Sequence, residues 1–236
     1  MQQSVFSFKQ FEVSHGKGSM KVGVDAVLLG AWTDHKAGKI LDVGTGCGVI
    51  ALMMAQRFPD ASVDAIDIDP LSVEEAYFNF SKSEWKDKMK VWNAEFPKDL
   101  FGTDVKYDLI VSNPPYFLSG VDSPQTQRER ARHQDSLSVF SLIEYASKFM
   151  NDDGGLAMIF PSEFENKVML KASKFGLFPK KICRVKNSKE KSVKRVMIEL
   201  VKNGEIMLKE EELTLFKDGM PTLEYKNLCK DFYLKF

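Results

Sequence analysis

The chain has 236 residues, 44% of them hydrophobic and 11% aromatic, a make-up that suits a globular protein with one sizeable core. Lys+Arg and Asp+Glu both number 33, so net charge points to no polyanionic partner, and only its distribution can carry that information. The cysteines (Cys47, Cys183, Cys229) and histidines lack ligand spacing, no apolar run approaches the ~18 residues of a membrane span, and the Gln2-Gln3-Ser4 start lacks a leader pattern; a cytoplasmic, metal-free monomer with no membrane partner is expected.

Residues 5–14 bring Phe6, Phe8 and Phe11 together and predict a short hairpin, followed by a glycine-containing loop and a helix over 24–32. Two readings of residues 1–38 stand. They form a hairpin-and-helix cap packed on a core of residues 39–236, or Lys21 and Asp25 also sit over a ligand. Residues 39–48, KILDVGTGCG, predict a strand running into glycines, with a helix from Val49. Such a turn lets backbone approach a ligand at a helix N-terminus. The glycines are Gly44, Gly46 and Gly48; position 49 is Val, so the dinucleotide fingerprint fails, and no Gly-Lys-Ser/Thr follows. Asp42 beside Gly44 would repel phosphate and favours a cationic ligand. S-adenosylmethionine, with its sulfonium and ammonium, qualifies.

Residues 61–69 predict a second strand ending at Asp67, placed to accept ribose hydroxyls, with Ile68 behind it to pack on an adenine. Asp69 and Pro70 read as N-cap and first residue of a helix with Val73, Ala76, Tyr77 and Phe80 on its inner face. A third strand over 88–92 leads to Glu95, either near an adenine amino group or a solvated acid. Asp108 to Val111 predict a buried strand stopped by Asn113-Pro114-Pro115-Tyr116. Prolines hold this loop extended at the strand's carboxyl end, where open α/β sheets bind ligands. A base amino group is a poor nucleophile because its lone pair is delocalised. The Asn113 side-chain oxygen and the Pro114 carbonyl could accept its two hydrogens and make it nucleophilic, while Tyr116 stacks on the ring and Phe117 adds a second wall.

Residues 118–136 read as a long polar loop in which Arg128, Arg130 and Arg132 either form a lid over substrate or open a solvated helix. A helix over 137–150 stops at Asn151-Asp152-Asp153-Gly154-Gly155, a buried strand covers 156–160, and a further helix runs to Phe175. Strands over 180–186 and 193–201 predict an antiparallel hairpin at the sheet edge. A strand, a turn at Asp218-Gly219 and a helix close the chain. Between residues 165 and 202 twelve basic side chains face three acidic ones. That excess reads as a phosphate-contacting stripe, with Lys180, Lys181 and Arg184 its candidates, or as solubilising charge.

Taken in order, Asp42-x-Gly44-x-Gly46-x-Gly48, Asp67, Glu95 and Asn113-Pro114-Pro115-Tyr116 resemble class I S-adenosylmethionine-dependent methyltransferases of the Asn-Pro-Pro-Tyr branch. The segment FSFKQFEVSHGKGSMKVGVDAVLLGAW, and Ala131-Arg132-His133 with Leu137, look more narrowly like the bacterial valine-tRNA methyltransferases that act on the amino group of adenine 37. The resemblance implies a Rossmann-like α/β fold, a seven-stranded, mostly parallel sheet with an antiparallel last pair and helices on both faces. It also implies a tRNA substrate whose adenine is swung out of an anticodon loop. A Glu stands at 95 where that branch more usually has Asp. The glutamine side-chain amide of a protein, or an amino group in DNA or ribosomal RNA, presents the same planar NH2 and is the competing substrate.

Overall fold

The computed structural model describes residues 4–16, 21–100, 102–115 and 137–235. The central sheet is built from Lys39–Val43 (β3), Ser62–Asp67 (β4), Met89–Asn93 (β5), Tyr107–Ser112 (β6), Met150–Pro161 (β7), Phe178–Ser188 (β8), Val193–Val201 (β9), Lys209–Lys217 (β10) and Met220–Pro221 (β11), with apolar, β-branched runs at its centre. Their order is β11-β10-β8-β9-β7-β6-β3-β4-β5. β3 to β7 are mutually parallel, and β9 runs antiparallel to both β7 and β8. A separate hairpin pairs Ser4–Ser7 (β1) with Glu12–His15 (β2).

Alternation along the strands feeds two apolar layers. On one face Ile40, Val63, Leu109, Val111 and Ala157 pack beneath Val24–Trp32 (α1), Val49–Arg57 (α2) and Pro70–Ser81 (α3), joined by the hairpin and by Leu223–Cys229 (α6). On the other, Leu41, Ile110, Leu156 and Met158 pack beneath Val139–Phe149 (α4) and Glu165–Lys174 (α5). Each Leu or Ile buried here is worth roughly 1.5–3 kcal/mol of transfer free energy. None of the helices is long and apolar enough to cross a membrane among the described residues.

The mixed α/β architecture is the expected one, with differences that have physical causes. Among the described residues the sheet has nine strands, because β10 adds parallel to β8 and β11 pairs β10. The β8–β9 hairpin is therefore interior: β9 lies between β7 and β8, and β10 covers β8. Residues 151–155, read as a break, continue β7. In α3, Asp69 caps as expected, accepting from the backbone N–H of Leu71 and Ser72. Its inner face is different: Tyr77 is 68% exposed, while Ser72, Glu75, Ala76, Asn79 and Phe80 are buried. Three of these five buried residues are polar, so a hydrophobic pattern rotates the helix wrongly.

Candidate functional site

The loops that follow β3, β4, β5 and β6 meet at the carboxyl ends of adjacent parallel strands. After β3 the chain turns through Gly44, Gly46 and Gly48, all at positive φ. Gly48, at φ +83, is the N-cap of α2, and a Cβ there would stand 2.5 Å from the Phe80 ring. Only glycine permits both that conformation and that approach.

Asp42 is fully buried at the end of β3. The Thr45 hydroxyl donates to its Oδ2 at 2.7 Å and the Ala51 N–H at 3.1 Å, while Oδ1 has no partner. Burial pushes this carboxyl up to about 7, against the two hydrogen bonds, and among the described residues no cation stands beside it. A buried carboxylate without a counter-cation is the chemistry that fits a ligand's ammonium group.

Asp67 closes the glycine turn from β4. Its Oδ2 accepts from Gly46 N at 2.8 Å and its Oδ1 from Asp69 N at 3.0 Å. Burial raises this carboxyl as well, with the Asp69 and Gly46 N–H groups opposing the shift. Each oxygen keeps a lone pair for a further donor. Ile68 beside it is 51% exposed, an apolar surface at the strand's end. Glu95 is half-buried, its carboxylate 3.3 Å from Lys98, and its own N–H is held by Asp99.

Asn113 is half-buried, Pro114 buried and Pro115 half-buried at the end of β6. The Ser112 hydroxyl donates to the Val43 carbonyl at 2.7 Å and locks this loop's root to the residue before Gly44. Tyr116, Phe117, Arg128, Arg130 and Arg132 lie outside the described residues.

The structure thus brings together Asp42, the three glycines, Asp67, Ile68, Glu95 and the Asn113 loop. Lys180, Lys181 and Arg184 stand apart. Lys180 pairs with Glu199 at 2.7 Å; Lys181 pairs with Asp34 at 3.1 Å and lies over the Trp32 ring. Arg184 bridges Glu165 and Glu210. Asp25, read as a residue over the ligand, holds Arg195 at 2.7 Å.

Three positioning residues escaped the sequence reading. Asn93 donates to the Asp67 and Ile68 carbonyls and aligns the tips of β4 and β5. Ser112 does the same for β6 and β3. Asn79, buried in α3, accepts from Ser14 N and donates to the carbonyls of Ser14 and Cys47, stitching the hairpin to the glycine turn. A polar residue ending a buried run, as at 93 and 112, was the available signal.

This strand order, with β9 reversed and the turn, acid and Asn-Pro-Pro loop on consecutive tips, defines a class I methyltransferase. A methyltransferase small domain model matches residues 15–182. The chain is 39% identical over 236 residues to a tRNA1(Val) (adenine(37)-N6)-methyltransferase of Bacteroides thetaiotaomicron, covering 99% of each. It is 42% identical to the protein of that name from Trichodesmium erythraeum, covering 98% of each. In structure it is similar to a predicted O-methyltransferase of Agrobacterium tumefaciens at a TM-score of 0.66, with 19% identity over 88% of this chain and 96% of that one. The chain belongs to the methyltransferase small domain family.

Proposed function

We propose that this protein is a cytoplasmic tRNA methyltransferase. It transfers a methyl group from S-adenosylmethionine to the exocyclic N6 of an adenine, at position 37 in the anticodon loop of a valine tRNA. The observation that carries the chemistry is the Ser112–Val43 bond, which fixes the Asn113 loop beside the glycine turn. The substrate is supported by relatives of that activity aligned over 98–99% of the chain.

S-adenosylmethionine, when bound, supplies an electrophilic methyl on a sulfonium. Asp42 would hold its ammonium end. Gly44, Gly46 and Gly48 would admit its methionine and ribose portions, Asp67 would accept from the ribose hydroxyls, and Ile68 and Glu95 would face the adenine. Asn113 Oδ1 and the Pro114 carbonyl would accept the two N6 hydrogens. This draws the nitrogen lone pair out of the ring and aims it, with no shifted pKa required. Pro115 keeps the corner stiff, and Tyr116 and Phe117 would sandwich the base. After transfer the surplus N6 proton passes to solvent.

Nucleosides from tRNA of a strain lacking the gene, treated with the enzyme and donor, test this by mass spectrometry. With wild type N6-methyladenosine should appear among the nucleosides, and nuclease fragments of the same tRNA should place it at position 37. Asn113→Ala should slow transfer ~10²–10³-fold, the scale for one lost preorganised group, with cofactor affinity kept. Methylated protein and unmodified tRNA would move the assignment to the glutamine-amide class.

A further inference from the structure

The basic excess between residues 165 and 202 is unevenly neutralised. Down the length of β8 and β9 its cations are matched: Lys180 with Glu199, Lys181 with Asp34, Arg184 with Glu165 and Glu210, Lys186 with Glu212, and Lys202 with Asp152. The turn joining the two strands, together with Lys194 at the start of β9, is different. Lys189, Lys191 and Lys194 are exposed, and no ion pair within 4 Å holds any of them among the described residues. The acids nearby are Glu190, within the turn, and Glu163, across an open recess that Ser192, Lys194 and Arg195 also line.

Register places this turn relative to the candidate site. Ser112 of β6 is level with Met158 of β7, and Pro161 of β7 is opposite Arg195 of β9. Continued three residues, the first register puts Pro115 level with Pro161 and so with Arg195. That is two strand spacings across, roughly 10 Å at ~4.8 Å per strand. The turn starts just beyond Arg195, on the side to which the Asn113 loop projects. Lys181, four residues before the partner of Arg195, lies ~13 Å back along β8. The turn's root is braced: Arg195 is held by Asp25 at 2.7 Å, and the Ser162 hydroxyl donates to the Val193 carbonyl at 2.8 Å.

We propose that the β8–β9 turn, through Lys189, Lys191 and Lys194, is the surface that grips the backbone phosphates of the substrate RNA next to the extruded base. The inference rests on the RNA-methyltransferase reading above. Exposed cations without a close ion pair among the described residues, on a braced support beside the point where a base must enter, are what phosphate contacts need. They fix register without reading sequence, and the matched pairs lower on β8 cannot serve without first breaking.

The test is a Lys189→Gln, Lys191→Gln, Lys194→Gln variant of the full chain, titrated with unmodified tRNA over a range of salt. Single-stranded contacts contribute a slope of ~0.7 each to log affinity against log salt. Losing three should flatten the slope by about 2 and raise the KM for tRNA about tenfold or more. S-adenosylmethionine affinity, kcat at saturating tRNA and the unfolding midpoint should be unchanged. Lys189→Arg, Lys191→Arg, Lys194→Arg should restore the slope. A wild type that methylates tRNA together with a variant of unaltered slope and KM overturns the turn's assignment alone. A wild type that neither binds nor methylates RNA overturns both this assignment and the reading beneath it, as would capture of an acidic protein in place of RNA.

Discussion

Asp42 on β3 and Glu199 on β9 are both fully buried carboxylates, and they share one hydrogen-bonded row of the sheet: Asp42, Val111, Ala157, Glu199. Strand alternation points both to the face covered by α1 and α2. Three strand spacings, roughly 14 Å, separate them. Each leaves one oxygen without a hydrogen-bond partner, so that feature does not distinguish them. The difference is the cation. Burial alone would raise Glu199, but His35 at 2.9 Å and Lys180 at 2.7 Å both reach its Oε1 and hold the carboxyl below its usual range. Among the described residues Asp42 has only neutral donors, and burial pushes it up to about 7. A carboxylate whose counter-charge is built into the chain is part of the scaffold. One with no counter-charge among the described residues is matched, in the function proposed above, by a ligand's ammonium.

The sharpest way to break this contrast is to remove the scaffold member. Glu199→Ala strands His35 and Lys180, and should cost about 3 kcal/mol in urea unfolding, the low end for a broken buried pair because Lys180 can swing toward solvent. Cofactor affinity of the folded fraction should not change. A variant as stable as wild type would mean the triad contributes nothing. Next in size, Asp67→Ala removes a group that ties Gly46 to β4 and is proposed to accept from ribose. It should weaken S-adenosylmethionine binding by about 1–3 kcal/mol in calorimetry, and unchanged affinity would leave Asp67 only its role in the turn.

The smallest effect is in pH, and here the two carboxylates have opposite signs. Asp42 is raised from 3.8 to about 7, so the folded chain keeps a proton that the unfolded chain loses. Its contribution to stability declines as pH rises from about 4 to about 7 and is level above that. Glu199 is lowered from 4.5, so its contribution is present above that value and disappears as pH falls through the folded-state value. Asp42→Asn should remove the first trend and leave the second, as read from unfolding midpoints followed from pH 8 down to about 3, below the ordinary Glu value.

What the sequence disclosed follows the same division. Local chemistry was legible: the glycine turn, the Asp69–Pro70 helix start, the strand halted at Asn113 and the acid at the tip of β4 all rest on residues within a few positions of one another. Pairings between distant segments were not. The stripe of lysines looked open because Asp34, Glu210 and Glu212 lie outside it in the chain and meet it only after folding. The same holds for Asn79, whose buried partners come from a hairpin and a turn 65 and 32 residues away. Tyr77 took its place on the inner face because pattern reading favours an aromatic ring over an amide.

Calorimetry of S-adenosylmethionine binding in buffers of different ionisation enthalpy tests the central contrast most directly. At pH 6 a protonated Asp42 must ionise to meet the ligand's ammonium, so about one proton should pass to the buffer. At pH 8, and at pH 6 in Asp42→Asn, none should be released. A binding heat at pH 6 that is the same in every buffer for the wild type would contradict the account.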